Sequence, residues 1–295
     1  MTPSPCLKIL FVINPGSGTK TKIAWEPAIR EYFTNLHHNL EFFLLDGKDD
    51  ATSLKYWIEK LLPDRVIAVG GDGTVSLVAK QLLNSNIPMG ILPAGSANGM
   101  AKELNIPVNV NEALEIIING DVKECDAIKI NDSEICLHLS DLGVNAQLVK
   151  YFEQGNIRGK LGYALKVFKV LWRKKMMNVT LQTEKEEIKR RAFMVVIANA
   201  SKYGTGALIN PDGDVKDGFF ELVVVRRIHF ISVLKMFLKF KRYNPKKVEM
   251  FRAQTAMITT KRPAHFQVDG EYLGKVNNIS AQILKAQLRL MLPKS

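Results

Sequence analysis

The chain has 295 residues, 46% of them hydrophobic and 24% charged. This is the length of about two domains, and the composition suits buried cores, so a disordered chain, a collagen-like repeat and a small disulfide scaffold are excluded. The formal net charge is +12, from 41 Lys+Arg against 29 Asp+Glu, and the excess is confined to two stretches identified below.

In chain order, Leu7 to Ile13 reads as a buried strand stopped by Asn14-Pro15-Gly16. A helix is predicted over 21–36, a strand over 40–45, a helix over 51–62 and a strand over 65–69. The third strand runs into Gly70-Gly71-Asp72-Gly73, then a helix over 74–83, a strand over 89–92, and helices over 96–104 and 111–118. Strands alternating with helices imply a parallel sheet covered on both faces.

The pattern changes near residue 122. Strand-like segments follow at 127–130, 135–139, 179–183, 192–198, 219–225, 256–260, 265–268 and 279–292, which predict a mostly antiparallel β-sandwich. Two basic amphipathic helices interrupt them. Arg158 to Lys175 holds seven basic residues and no acid, and Arg226 to Lys247 holds eight and no acid. Phe230, Val233, Leu234, Phe237 and Leu238 share one helical face of the second, with Lys235, Lys239 and Arg242 on another. Either helix can pack its apolar face on the core or lie on an anionic membrane surface.

No apolar run approaches the ~18 residues of a membrane span. Met1 to Cys6 lacks the basic-then-apolar pattern of a signal peptide. Cys6, Cys125 and Cys136 form no CxxC and leave one thiol over in any pairing, so a reducing cytoplasm is expected. The basic patches carry no zinc-finger, basic-zipper or RNP pattern, so no nucleic-acid partner is expected.

Three glycine-rich loops follow predicted strands: Asn14-Pro15-Gly16-Ser17-Gly18, Gly70-Gly71-Asp72-Gly73-Thr74, and Pro93-Ala94-Gly95-Ser96-Ala97-Asn98-Gly99. Ligands of open parallel sheets bind beyond the carboxyl ends of the strands. Glycine lets backbone approach a phosphate, and a following helix offers free N–H groups. Asp72 beside such a site either binds Mg²⁺, takes a proton, or caps the turn. Neither a Walker A sequence nor a dinucleotide fingerprint is present. In the second half, Gly213-Asp214-Val215-Lys216-Asp217-Gly218-Phe219 is either a hard-cation site or a plain turn. Val268-Asp269-Gly270-Glu271 is either a carboxylate pair facing a phosphate or a hairpin turn.

Together these strings resemble the diacylglycerol kinase catalytic-domain superfamily, which takes in bacterial diacylglycerol and lipid kinases and the sphingosine and ceramide kinases. The resemblance rests on NPGSG at 14–18, GGDGT at 70–74, PAGSANGMA at 93–101, GDVKDGFFELVVV at 213–225 and VDGE at 268–271, and spans almost the whole chain. It implies a three-layer α/β nucleotide-binding domain over 1–122 and a β-sandwich lipid-binding domain over 123–295. The implied activity is an ATP- and Mg²⁺-dependent transfer of phosphate to a lipid hydroxyl at a membrane surface. That predicts a cytoplasmic protein peripheral to the inner membrane surface, with a homodimer allowed.

By the same resemblance, Asn14, Pro15, Gly16, Ser17, Gly18, Gly70, Gly71, Asp72, Gly73, Thr74, Val75 and Ser96, with Asn98 of the same loop, contact ATP. Asp217, with carbonyls near Asp214 and Phe219, matches a structural Mg²⁺ site, and Asp126 an acid of its network. Glu271 matches the proton acceptor, with Asp269 competing and Asp72 placing Mg²⁺ through water. Two positions depart from the pattern. Gly99 stands where bacterial diacylglycerol kinases carry Asp, and Gln147 follows Gly143-Val144-Asn145-Ala146 where the sphingosine branch carries an acidic segment. An enzyme like NAD kinase with a soluble acceptor, or a catalytically weak membrane-binding relative, are the alternatives.

Overall fold

The computed structural model describes residues 6–17, 24–153, 176–201, 209–211, 213–226 and 248–294. Both basic helices predicted from sequence, and Gly18, therefore lie outside the described residues, apart from Arg226. The chain forms two compact units, Met1–Cys125 with Ala286–Ser295, and Asp126–Lys285.

The first unit is an α/β layered structure. Strands β1 (Lys8–Ile13), β2 (Asn39–Leu44), β3 (Arg65–Gly70) and β4 (Met89–Pro93) line up parallel in the order β2-β1-β3-β4. Strands β1, β3 and β4 are almost continuously buried apolar runs, as a parallel strand covered on both faces must be. Around them lie α1 (Trp25–Tyr32), α2 (Asp50–Leu61), α3 (Asp72–Leu82), α4 (Gly99–Glu103) and α5 (Val110–Asn119). Helix α3 packs on β3, α5 packs on β4, and the helices pair α2 with α3 and α1 with α5. Helix α5 lies close to β4 because Gly90 has no side chain: a Cβ there would sit 2.7 Å from Ile67 Cδ1 and 2.8 Å from Ile117 Cγ1. The carboxyl ends of β1, β3 and β4 deliver the three glycine-rich loops to one edge of this sheet.

The second unit is a β-sandwich of antiparallel strands, reached through β5 (Asp121–Ile130), which crosses the boundary at Cys125. It contains β6 (Glu134–Cys136), β7 (Leu139–Gly143), β8 (Met177–Thr183), β9 (Glu187–Ala192), β10 (Met194–Ala198), β11 (Phe220–Val225), β12 (Val248–Ala253) and β13 (Thr255–Val268), with α6 (Val144–Glu153) after β7. Strand order is β12-β11-β10-β7-β13. Strand β13 pairs through Ala256–Thr260 with β8 and through Phe266–Val268 with β7, so one strand serves two neighbours. The period of two sorts the apolar residues. Val195, Ile197, Leu222 and Val224 enter the larger core, and Met194, Val196, Val223 and Val225 a second cluster on the other face.

The last strand, β14 (Glu271–Leu292), starts in the second unit against β13 and ends in the first, where Leu290 pairs parallel with Met89. A sequence cut at residue 122 falls in the same strand as the contact division at Cys125 but makes no provision for this return.

Several elements differ from the sequence expectation, each for a local reason. The helix expected over 96–104 begins only at Gly99, because Asn98 takes the left-handed conformation (φ 50°). The strand expected over 135–139 is interrupted between Cys136 and Leu139, where backbone amides turn to a carboxylate described below. Strands 256–260 and 265–268 are one strand with register shifts. Helix α6 and strands β9 and β12 were not anticipated; β9 carries Glu187 and the run Lys189-Arg190-Arg191, and β12 carries Glu249 and Arg252, so neither short strand shows an uninterrupted apolar pattern.

Candidate functional site

The site of the first unit is built from its three loops. Asn14, at the end of β1, is held by N–H donation to the Val69 carbonyl (3.0 Å). Its Oδ1 accepts from Gly16 N (2.9 Å), its carbonyl accepts from Ser17 Oγ (2.7 Å), and its Nδ2 reaches Thr74 Oγ1 at 3.4 Å. One asparagine thus shapes its own loop and ties it to α3. Pro15 and Gly16 are exposed at the tip.

Gly70 ends β3, and Gly71 is the N-cap of α3 with extended backbone and no side-chain cap bond. The first turn of α3 therefore presents amides that no side chain of the cap satisfies. Thr74 and Val75 are both 3% exposed. Gly73 is exposed. Backbones of the second and third loops cross closely: a Cβ on Gly95 would lie 2.5 Å from Gly71 Cα. Ala94 N donates to the Gly70 carbonyl (2.9 Å).

Asp72 joins these two loops. Its Oδ2 accepts from Gly99 N (3.0 Å) and its Oδ1 from Met100 N (3.1 Å). Asn98 is turned inward and spent on the same loop, its Oδ1 accepting from Gly95 N and its Nδ2 donating to Gly95 O, both at 2.9 Å. Asn98 therefore shapes the loop, while Ser96 stands exposed at its tip. The structure brings Asn14, Gly70, Gly71, Asp72, Thr74, Gly95 and Asn98 together.

The second unit holds the other carboxylates. Val268 pairs with Glu271 across a two-residue hairpin in which Asp269 (φ 47°) and Gly270 (φ 93°) both take positive φ, the type I′ pattern. Asp269 is partly buried. Its Oδ2 accepts from Leu137 N (2.8 Å) and its Oδ1 from His138 N and Leu139 N (both 3.0 Å) and from Cys136 Sγ (3.3 Å). Burial pushes the Asp269 carboxyl above its ordinary range against the pull of these donors, and burial together with Asp269 pushes the Cys136 thiol well up. Gln267 supports the turn: its Oε1 accepts from Gly270 N (2.7 Å) and its Nε2 donates to Asp141 Oδ2 (2.5 Å), which also accepts from Asn145 Nδ2 (2.5 Å). Glu271, the first residue of β14, is exposed at the end of this braced turn.

The residues expected to hold a structural Mg²⁺ are near one another but differently engaged. Asp126, 1% exposed, accepts from Gly218 N at 2.6 Å. Asp217 Oδ1 accepts from Phe219 N (2.9 Å), and its Oδ2 is paired with Arg252 Nη2 (2.7 Å). Asp214 Oδ1 accepts from Lys216 N, and its carbonyl from Asp217 N. Among the described residues no cluster of three or more His, Cys, Asp or Glu is arranged for a metal. Mg²⁺ demands about six oxygens at ~2.0–2.1 Å, and a carboxylate already neutralised by a guanidinium is a poor member of that set, so these residues do not fit the ion. Sequence reasoning missed Arg252, because it lies on the unanticipated strand β12. It also missed the Gln267–Asp141 brace, whose partners are far apart in sequence.

Comparison with known proteins gives the class. The model for the diacylglycerol kinase catalytic domain matches residues 8–130, and that for the YegS C-terminal NAD kinase beta sandwich-like domain matches 140–292. The chain belongs to the diacylglycerol kinase catalytic-domain family of lipid kinases. Within it, the second half is of the YegS type. Similar curated proteins include "Probable lipid kinase YegS" of Escherichia fergusonii, 29% identical over 259 residues, covering 83% of this chain and 84% of that one. "Diacylglycerol kinase" of Staphylococcus saprophyticus is 25% identical over 221 residues, 72% of each chain. A solved diacylglycerol kinase structure from Bacillus anthracis str. Sterne superposes with a TM-score of 0.74 over 98% of both chains at 20% identity, a likeness of fold.

Proposed function

We propose that the chain transfers the γ-phosphoryl group of ATP to a hydroxyl of an amphipathic membrane lipid of the diacylglycerol or sphingoid type. The observation that carries this is the clamp of the two glycine loops by Asp72 beside a helix N-terminus that no side chain caps. Family membership supplies the reaction class. Backbone amides of the first turn of α3 and of the 96–97 tip would bind the ATP phosphates, whose charge suits the α3 dipole. The 14–17 loop, whose amides are spent on Asn14 and Val69, would shape the site beside them. Mg²⁺ accompanying ATP supplies charge neutralisation. Asp72 fits an outer-sphere role towards it, because two of its roughly four lone-pair sites are used by Gly99 and Met100.

The lipid hydroxyl attacks the γ-phosphorus, the bond to the departing ADP oxygen breaks, and the hydroxyl proton passes to a carboxylate. Glu271 suits that role better than Asp269. Asp269 is partly buried and committed to three backbone amides, whereas Glu271 is exposed and its backbone is fixed by the hairpin. Asp269 then acts by holding the turn. Positioning and charge neutralisation account for most of the rate in such transfers. The basic segments 158–175 and 226–247 would bring the protein to anionic lipid at the cytoplasmic face, where ATP is available.

The test is transfer from labelled ATP with Mg²⁺ into vesicles presenting diacylglycerol, a sphingoid base, ceramide and monoacylglycerol. One dominant labelled lipid is expected. ATP binding with no labelled lipid would overturn the lipid acceptor.

A further inference from the structure

The disagreement between Asp217 and a metal has a positive side. Arg252 lies on β12 directly opposite Glu221 of β11. Its Nη2 is 2.7 Å from Asp217 Oδ2, its Nε is 4.0 Å from Glu221 Oε1, and its guanidinium lies 4.0 Å from the centroid of the Phe219 ring. One planar cation thus touches two carboxylates and an aromatic face of the 217–221 segment. The rest of the loop is fastened by neutral donors: Gly218 N to Asp126, Phe219 N to Asp217, Lys216 N to Asp214, Asp126 N to the Val215 carbonyl (2.7 Å) and Gln254 Nε2 to the Gly218 carbonyl (3.2 Å).

A divalent ion in such a loop would have two tasks, to neutralise Asp217 and to pin the loop to the strand behind it. The guanidinium does both, with the bond directions of a rigid fork where an ion would need a full oxygen shell. A second cation at Asp217 would also meet the positive charge of Arg252 at short range. We propose that Arg252 is the built-in cation of the 213–219 loop, and that this loop is ordered without a divalent metal. Any metal requirement of the enzyme is then confined to the nucleotide. The inference does not depend on the identity of the phosphate acceptor.

Two measurements on the nucleotide-free full chain test it. The first is Mn²⁺ binding by electron paramagnetic resonance, with Mg²⁺ competition, on wild type and Asp217→Asn. No bound ion that depends on Asp217 is expected. A stoichiometric Mn²⁺ that Mg²⁺ displaces and Asp217→Asn abolishes overturns the proposal. The second is thermal melting of wild type and Arg252→Met, which keeps an apolar stem over Phe219. A midpoint lower by about 2–4 °C is expected, with wild type unmoved by EDTA. An unchanged midpoint for the variant, or a fall of wild type in EDTA, overturns it. If Arg252→Met does not fold, Arg252→Lys, which keeps charge but loses the fork, is melted in its place and judged by the same two outcomes.

Discussion

Asp72 and Asp269 are both acids beside glycine, and their surroundings give them different work. Asp72 accepts one amide on each oxygen and remains partly accessible, so it can hold two loops and still face a ligand. Asp72→Asn keeps one acceptor oxygen and puts an amide NH2 against the other donor. We expect turnover to fall by about 10²-fold or more, and the melting temperature to fall less than in Asp269→Asn because two donors meet this carboxylate instead of four, read by lipid phosphorylation and calorimetry. Asp269→Asn should show the opposite balance. Its second nitrogen would confront a backbone N–H inside the protein, leaving a buried donor unsatisfied, at a cost of about 2–4 kcal/mol in denaturant unfolding. The place of Asp72 between a strand and a helix was legible in sequence from GGDGT. The role of Asp269 was not, because its amide partners at 137–139 are some 130 positions earlier in the chain.

At the scale of elements, loops and strand pairs set the tolerance to change. Gly95→Ala would drive a methyl into Gly71 backbone, which cannot yield as a side chain would. It should cost about 1–3 kcal/mol and weaken ATP binding measured by calorimetry. Across β9, β11 and β12, Glu249 is clasped by Arg190 Nε and Arg226 Nη1, both at 2.7 Å. Burial opposes its ionisation, and the two guanidinium groups outweigh burial and hold its carboxyl below the usual range. A depressed folded value means that the stabilisation is present above the unfolded carboxylate pKa and is lost as pH falls through the folded one. Glu249→Gln should therefore be less stable than wild type by roughly 1 kcal/mol at neutral pH, with the difference vanishing in acid. Helices α2, α3 and α5 were legible because their apolar spacing is unbroken over ten or more residues. The run over 135–139 read as one strand because its residues are apolar, and only the distant Asp269 explains the break.

For the molecule as a whole, the two halves were legible from the change in strand and helix spacing near 122, but the membership of β14 was not. A pattern of alternation says that a strand exists and not which sheet it joins. Leu288, Leu290, Met291 and Leu292 are all at most 5% exposed, so the returning segment is core to the first unit. Removing residues 286–295 should abolish cooperative melting of that unit and its ATP binding, while substitutions at exposed Lys294 should not. This return also has a consequence for biosynthesis. All of Asp126–Lys285 is made between the body of the nucleotide-binding unit and its last strand. On the ribosome, the nascent first unit must wait with the flank of β4 lacking its partner until the rest has emerged, so ATP binding is a late event in the life of each chain. A kinase assembled in this order acquires its nucleotide site only once the second unit has been translated.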